Sequence, residues 1–184
     1  RFIVGTLVQI EAALLLIPGL TAVVYQEWDC LGAFGLTAGI CLCAGWLLRG
    51  KRPENVTIFS SEGYIVVALC WITMSICGAV PFVVSGAYPN PFDALFEIVS
   101  GFTTTGATVA TDVEILPRSI LMWRSFSHWV GGMGVLVFML AILPMGASSM
   151  YLMKAESPGP SVGKLVPRVR STAKILYIIY LFLT

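Results

Sequence analysis

The sequence has few charged residues. Lys and Arg number 11 and Asp and Glu number 10 among 184 residues, so charged side chains make up 11% of the chain, against about 25% in soluble globular domains. Hydrophobic residues make up 57%, and the mean hydropathy is +0.87. So few charges cannot cover the surface of a soluble domain, and the apolar content also excludes disordered, collagen-like and coiled-coil proteins. The composition predicts an integral membrane protein.

Catalytic motifs are also missing. His128 is the only histidine, and Ser127 beside it would point about 100° away on a helix, so the two cannot act as a serine–histidine dyad. No Gly-x-Ser-x-Gly or His-Glu-x-x-His motif occurs. Gly131, Gly132 and Gly134 are not followed by Lys-Ser/Thr, which excludes a phosphate-binding loop and predicts close helix packing. We expect neither an enzyme nor a bound cofactor.

The five cysteines form no Cys-x-x-Cys pair. Four of them lie within apolar runs, and their odd number favours neither a disulfide framework nor a metal site. Free cysteine is among the most frequently buried residue types and packs as a small apolar side chain. We therefore expect the cysteines to be small buried apolar residues.

Five apolar runs are candidates to cross a membrane, which takes about 20 residues. They cover residues 2–25, 31–48, 64–84, 120–145 and, incompletely, 175–183. The chain begins without an initiator Met and stops within the last run, so we expect it to belong to a longer protein. Basic residues concentrate at 49–52 and 154–174. By the positive-inside rule the N-terminus is cytoplasmic, and the basic cluster marks the cytoplasmic face and not a nucleic-acid site.

The segment between the third and fourth runs contains a half-helix. Asn90 has the character of an N-cap, Pro91 suits the first helical position, and Asp93 lies in the first turn. A helix over 91–101 would reach about 16 Å, half of the roughly 30 Å hydrocarbon core. The extended residues 103–108 that follow would span roughly 20 Å. A helix that enters the membrane and an extended return together have the geometry of a pore loop.

The residue types in this loop suit a monovalent cation. Backbone carbonyls of Thr103, Thr104, Thr105 and Gly106, together with threonine hydroxyls, can replace the hydration shell of the ion without a fixed charge. The C-terminal end of the half-helix, which is partially negative, would favour a cation there. The residues alone leave a second interpretation open, in which the loop is a small polar re-entrant turn that seals a helical bundle.

Two stretches of sequence resemble the Trk/Ktr potassium transporter family. The first is Asp93-Ala94-Leu95-Phe96-Glu97 with Ser100-Gly101-Phe102-Thr103-Thr104-Thr105-Gly106-Ala107-Thr108, which is similar to the first pore loop of that family. The second is Trp123-Arg124-Ser125-Phe126-Ser127-His128-Trp129-Val130-Gly131-Gly132-Met133-Gly134, followed by Leu143-Pro144. The two helices that precede the pore unit resemble the TrkH branch.

The resemblance implies an all-α polytopic membrane protein in which one chain carries four helix–pore loop–helix repeats around a single pore. The chain would then divide into two leading transmembrane helices (1–49), a cytoplasmic loop (50–62), the first repeat (63–146, with half-helix 91–101 and filter 103–108), a basic cytoplasmic linker (147–174) and the start of the second repeat (175–184). The family also implies a homodimer, a cytoplasmic TrkA-like nucleotide-binding regulatory subunit, and a bacterial or archaeal cytoplasmic (inner) membrane. By position, Thr104, Thr105 and Gly106 would form a quarter of the filter and bind potassium, which is the substrate.

Other polar residues lie at membrane depth. Arg124 follows Arg118 by about 9 Å of helix, where an unpaired guanidinium is costly. Glu97 on the half-helix is the expected partner, so we predict a structural Glu97–Arg124 brace. His128 stands where the family more often has glutamine; we expect it to pack, with pH sensing as the alternative. For Glu11, pairing with a helix elsewhere, protonation and a functional role all stay open.

The predicted function is potassium uptake, with this chain supplying one of four pore loops. One alternative is a subunit of a homotetrameric cation channel, in which each chain gives one loop. The other is a non-conducting structural membrane subunit with a vestigial loop. The number of Gly-centred re-entrant segments in the complete protein distinguishes the single-chain pore from the tetramer, and silent filter mutations would favour the structural subunit.

Overall fold

The computed structural model describes residues 2–50, 60–132, 134, 175 and 178–182. Regular secondary structure in these residues is helical. Three apolar segments are long enough to cross a membrane, Phe2–Val24, Trp28–Arg49 and Tyr64–Val84. The predicted all-α polytopic membrane fold is therefore confirmed. The helices are α1 (Phe2–Leu14), α2 (Leu16–Val24), α3 (Trp28–Arg49), α4 (Ser60–Val84), α5 (Pro91–Phe102) and α6 (Arg118–Gly132).

The chain divides into two compact units. The first consists of residues 1–52 and 70–132, and the second of residues 53–69 and 133–184. In the second unit, the structure describes the first part of α4 and helical residues at 178–182. Several predicted segments lie outside the described residues. They are the part of the fourth predicted span after residue 132 (except residue 134), the basic linker 147–174, most of the predicted loop 50–62, and parts of 175–184.

A proline interrupts the first apolar segment between α1 and α2. Pro18 has no N–H, so the carbonyl of Leu14 lacks the donor that residue i+4 normally supplies. The chain still continues in a helical direction, because the Leu15 N–H donates to the Glu11 carbonyl at 3.0 Å and the Gly19 N–H donates to the Leu15 carbonyl at 3.1 Å. Together α1 and α2 cover the length of the first predicted span.

Glycines allow α1 and α3 to touch at the backbone. A Cβ on Gly5 would lie 2.8 Å from the Gly45 carbonyl oxygen, and a Cβ on Gly45 would lie 2.8 Å from the Gly5 carbonyl oxygen. Small residues at such a crossing are the usual way in which membrane helices approach closely. One turn away, Arg49 donates to the side-chain oxygen of Gln9 at 2.9 Å. The helices α1 and α3 therefore pack closely against each other in the first unit.

The half-helix α5 begins as its sequence predicts. The Asn90 side chain accepts a hydrogen bond from the Phe92 N–H at 3.1 Å, Pro91 is the first helical residue, and Asp93 lies in the first turn. The 12 residues of α5 reach about 18 Å, which is too short to cross a membrane.

Close backbone contacts hold α5 against α6. A Cβ on Gly101 would overlap the Ser127 hydroxyl, and a Cβ on Gly131 would lie 2.7 Å from the Phe102 carbonyl carbon. The Phe102 ring also packs edge-on against the Trp123 ring, with 6.3 Å between centroids. The Trp123 indole N–H donates to the Gly78 carbonyl of α4 at 2.9 Å. These contacts fix the end of α5, where the predicted filter begins.

A glutamate from a distant turn caps α6. The Glu27 carboxylate accepts hydrogen bonds from the N–H groups of Arg118 at 2.6 Å and Ser119 at 2.9 Å, and also from the Ser119 hydroxyl. Partial burial tends to raise the pKa of Glu27, but these hydrogen bonds and the Arg118 charge outweigh it and lower the pKa below its usual value. A negative charge at a helix N-terminus is favourable, so Glu27 joins the turn before α3 to the start of α6.

Candidate functional site

The chain leaves α5 through a Schellman motif that places a threonine in the left-handed region. The Thr104 N–H donates to the Gly101 carbonyl and the Thr105 N–H donates to the Ser100 carbonyl, both at 2.9 Å. This pair of bonds defines the motif, whose left-handed position is usually glycine. Here Thr104 occupies it with φ of 56°, at a cost of order 1–3 kcal/mol. The four predicted filter residues thus begin in a strained turn that the helix end holds in place.

Three successive carbonyls follow this turn without a donor. Within the described residues, no hydrogen bond reaches the carbonyl oxygens of Thr104, Thr105 or Gly106. The carbonyls on either side are occupied: Thr103 accepts from the Thr104 hydroxyl and Ala107 accepts from the Ser100 hydroxyl, each at 2.7 Å. Residues 103–109 are exposed. The loop therefore presents a short run of free carbonyl oxygens and no charged side chain.

Gly106 gives the loop its second left-handed residue. Its φ is 77°, and no atom lies within 4 Å of the position that a Cβ would take. The constraint at this position is therefore conformational, because any other residue pays for positive φ even where space is available. The hydroxyl oxygens of Thr103 and Thr105 lie 2.8 Å apart, which places these two side chains together on the exposed surface of the turn.

Glu97 anchors the chain after Gly106. Its Oε1 accepts hydrogen bonds from the Val109 N–H at 2.7 Å and from the Thr108 hydroxyl. The Thr108 oxygen in turn accepts from the Ala110 N–H at 3.0 Å. Hydrogen bonds to an ionised carboxylate are stronger than those between neutral groups. One side chain of α5 therefore fixes the residues that follow Gly106.

The second oxygen of Glu97 binds α6. The Arg124 Nε lies 2.7 Å from Oε2, and the exposed fractions of the two side chains are 16% for Arg124 and 0% for Glu97. The structure thus brings together the two residues of the predicted brace. It also shows Thr108 and Val109 donating hydrogen bonds to the same carboxylate, so the buried Glu97 side chain binds both Arg124 and the segment that follows Gly106. The buried Tyr88 side chain lies beside this cluster.

The remaining predicted site residues lie on the last turns of α6 or, for Gly134, two residues beyond its end. His128 Nδ1 is 2.8 Å from the Arg124 carbonyl oxygen, and the Ser127 hydroxyl donates to the same carbonyl at 2.6 Å. Gly131 packs on the backbone of α5, whereas Gly132 is exposed. Gly134 has a φ of 71°. Gly131 fits the expectation of a helix contact, because a side chain there would meet the backbone of Phe102.

Sequence reasoning did not identify several residues that shape the loop. Ser100 holds the Ala107 carbonyl across seven residues, and Thr104 takes a conformation that the sequence assigned to Gly106 alone. A serine two residues before the end of the half-helix carries no distinctive signal. The triple threonine indicates the end of a helix, but its pattern does not reveal which threonine adopts positive φ. The Schellman hydrogen bonds supply that information.

Comparison with known proteins gives related chains. The family model TrkH, described as a cation transport protein, matches residues 33–184. The chain is 43% identical over 187 residues to the Trk system potassium uptake protein TrkH of Escherichia coli K12, and the match covers 99% of this chain and 38% of that protein. It is 38% identical over 182 residues to the Trk system potassium uptake protein TrkG of the same organism, covering 96% and 37%.

A solved structure also matches. The crystal structure of the potassium transporter TrkH from Vibrio parahaemolyticus is similar with a TM-score of 0.76 and 34% sequence identity, covering 98% of this chain and 36% of that one. The chain therefore spans 38% of the length of the curated E. coli TrkH it matches, and the likeness extends over nearly all of the chain in both sequence and fold.

Proposed function

Because this chain belongs to the TrkH family of cation transport proteins, we propose that it supplies one pore loop of a potassium uptake protein. The family resemblance of the sequence is confirmed by the family model and by relatives that are 38–43% identical. The family is one of transporters and not of enzymes. The observation that carries the proposal is the run of free carbonyls at Thr104, Thr105 and Gly106, exposed at the C-terminal end of a half-helix.

The chemistry of this loop suits potassium. Carbonyl oxygens can replace the hydration shell of the ion, and the absence of a fixed charge keeps binding weak enough for the ion to leave. The C-terminal end of α5 adds about half a negative charge through its aligned peptide dipoles. Thr103, Thr104, Thr105 and Gly106 form the filter quarter in this proposal, with Thr104 and Thr105 as potassium ligands.

One loop cannot close a ring of carbonyls around an ion. We expect the three further loops in the part of the full-length protein that this chain does not include, which makes the pore a single-chain structure. The boundaries given above for the first repeat (63–146) and the cytoplasmic linker (147–174) belong to the same proposal. A protein whose complete sequence held no further re-entrant segment would instead form the homotetrameric channel.

The membrane setting also belongs to the proposal. The described part of the chain contains three candidate spans, in keeping with a multi-pass membrane protein. We place it in the bacterial or archaeal cytoplasmic membrane with a cytoplasmic N-terminus, because the basic residues of the sequence concentrate at 49–52 and 154–174. A homodimer of the full-length chain and a TrkA-like nucleotide-binding regulatory subunit are the expected protein partners.

A matched pair of glycines tests the filter. Gly106 and Gly86 have φ of 77° and 75°, and neither has an atom within 4 Å of the position that a Cβ would take. Alanine at either position therefore pays the same backbone cost, about 1–2 kcal/mol, or roughly 5- to 30-fold in the local equilibrium between the left-handed conformation and its alternatives. Only Gly106 lies in the filter, so only Gly106→Ala should reduce rubidium uptake by the full-length protein.

The assay is rubidium uptake at equal membrane abundance, in a strain without other potassium uptake. We expect Gly106→Ala to lower uptake by about 5- to 30-fold, Gly106→Asp to abolish it, and Gly86→Ala to leave it unchanged. Equal losses in Gly106→Ala and Gly86→Ala would show that the effect is general strain. Normal uptake in Gly106→Asp would refute the filter and favour a structural membrane subunit.

A further inference from the structure

Three metal-binding side chains from three helices meet inside the first unit. Glu11 lies on α1, Cys41 on α3 and Cys77 on α4. A carboxylate oxygen and the two sulfur atoms all lie within 4.8 Å of one another. Their positions are 30 and 36 residues apart in sequence, so the cluster is formed only by the packing of the three helices. None of the three residues belongs to the predicted filter or to the Glu97 cluster described above.

Glu11 has no partner for its carboxylate in the part of the chain that the structure describes. Its exposed fraction is 0%, and neither oxygen has a hydrogen bond. The neighbouring core consists of apolar residues, with Val8, Ala12 and Cys41 fully or almost fully buried. A buried carboxylate without a partner is costly in such surroundings. The position therefore calls for a proton or a cation on Glu11.

Gly78 on α4 has no side chain, and this leaves room for the Glu11 carboxylate. A Cβ on Gly78 would lie 3.2 Å from Oε1 of Glu11, closer than most such contacts in proteins, and 2.8 Å from a carbon of Ile98. Gly78 is next to Cys77, so the α4 backbone approaches the Glu11 carboxylate where it presents the thiol. The acid and the two thiols are thus enclosed by helix backbone and apolar side chains.

We propose that Glu11, Cys41 and Cys77 form a binding site for a soft divalent metal ion of the zinc class. Two thiolates and a carboxylate are ligands that zinc takes, with metal–sulfur distances of about 2.3 Å and metal–oxygen distances of about 2.0–2.2 Å. Tetrahedral angles then separate the two sulfur atoms by about 3.8 Å, and the two atoms lie within 4.8 Å of each other here. Thiolate ligands select soft ions over potassium, which prefers neutral oxygens.

A bound divalent ion would offset most of the charge that the three ligands carry when they bind it. Binding releases the two thiol protons, and that of Glu11 where it is protonated, to water. Two thiolates and one carboxylate around a divalent ion leave a net charge of about −1, in place of three unpaired charges. Cys41 is fully buried, whereas Cys77 is partly exposed. A bound ion would join α1, α3 and α4 at one point.

Cadmium is the probe for this site, because its bonds to thiolate produce an ultraviolet charge-transfer band. The purified, reduced full-length protein in detergent is titrated with cadmium alone. We expect one tightly bound ion, with the band lost in Cys41→Ser and in Cys77→Ser. Glu11→Gln should weaken the affinity by about tenfold or more, since it removes a ligand. Cys43→Ser is the matched control, because Cys43 lies on the same helix as Cys41 but is exposed.

Two further measurements keep the test independent of whether a variant folds. X-ray absorption of the cadmium-loaded wild-type protein should show two sulfur neighbours and lighter oxygen neighbours. An all-oxygen shell would overturn the site, as would a band that persists in Cys41→Ser or disappears in Cys43→Ser. A Cys41–Cys77 disulfide found by mass spectrometry in protein isolated without reductant, and not reducible before titration, would also overturn it. None of these results depends on the ion-filter proposal.

Discussion

The variant Arg124→Gln tests the contribution of the ion pair apart from the other contacts of Glu97. Glu97 is completely buried and Arg124 is 16% exposed. Replacing the guanidinium leaves Oε2 of a buried carboxylate without its charged partner, a change that costs about 3–5 kcal/mol in buried pairs. We expect about 3 kcal/mol, at the lower end of that range, because Oε1 keeps its hydrogen bonds from Thr108 and Val109.

The comparison variant Glu97→Ala removes both functions of the carboxylate. It leaves Arg124 unpaired, as the first variant leaves Glu97 unpaired, and it also frees the Thr108 hydroxyl and the Val109 N–H. If the return of the loop positions the filter carbonyls, only Glu97→Ala should change ion selectivity. Both variants should lower the melting temperature in detergent, whereas Arg124→Gln should retain whatever ratio of rubidium to sodium uptake the wild-type protein shows.

The measurements are thermal melting, monitored by size-exclusion chromatography, and competition of sodium with rubidium uptake at equal membrane abundance of each variant. The double variant Glu97→Ala/Arg124→Gln provides the control, because it contains neither of the two charges of the pair. Its loss of stability should be smaller than the sum of the single losses by about 1–3 kcal/mol. A loss of selectivity in normally folded Arg124→Gln, equal to that in Glu97→Ala, would refute the separation of the brace from the filter.

The contacts of α6 lead to two further predictions. The lowered pKa of Glu27 means that its stabilising effect is complete above the usual glutamate pKa of about 4.3 and is lost as the pH falls through the lower folded-state pKa. The melting temperature of the wild-type protein should therefore approach that of Glu27→Gln in acid, and a pH-independent gap would contradict this. Gly131→Ala would place a Cβ 2.7 Å from the Phe102 carbonyl carbon and should destabilise by about 1–3 kcal/mol or more, whereas the exposed Gly132→Ala should be nearly neutral in the same melting assay.

Local features of the half-helix are accessible from sequence because they depend on neighbouring residues. Asn90 and Pro91 act within one turn, and the structure starts α5 at Pro91 and ends it at Phe102, one residue beyond the expected end. The break at Leu15 is not predicted in spite of Pro18, because a proline in a long apolar run leaves the run continuous by hydropathy. Removal of one hydrogen-bond donor interrupts the helix without ending the span.

Features that join distant segments are not accessible in the same way. Glu27 caps α6 across 91 residues, and nothing in its acidic turn indicates the partner. The apolar runs predict small buried cysteines, which describes Cys30, Cys41 and Cys70 but is wrong for the exposed Cys43. They also do not show that Cys41 and Cys77 face Glu11 from other helices. Spacings of 30 and 36 residues match no metal motif. Only the crossing of α1, α3 and α4 provides that information.

In the proposed filter, the charged Glu97 side chain is separate from the carbonyls that are expected to contact the ion, and this arrangement explains how a strained loop can persist. Thr104 in the left-handed region costs of order 1–3 kcal/mol. The Schellman bonds to Ser100 and Gly101 offset part of this, since each contributes about 0.5–1.5 kcal/mol net. The bonds to the Glu97 carboxylate contribute about 1.5–3 kcal/mol each. The charge that stabilises the loop is buried, while the exposed surface offers neutral carbonyls, so the strain is supported without a fixed charge that would hold the ion too tightly.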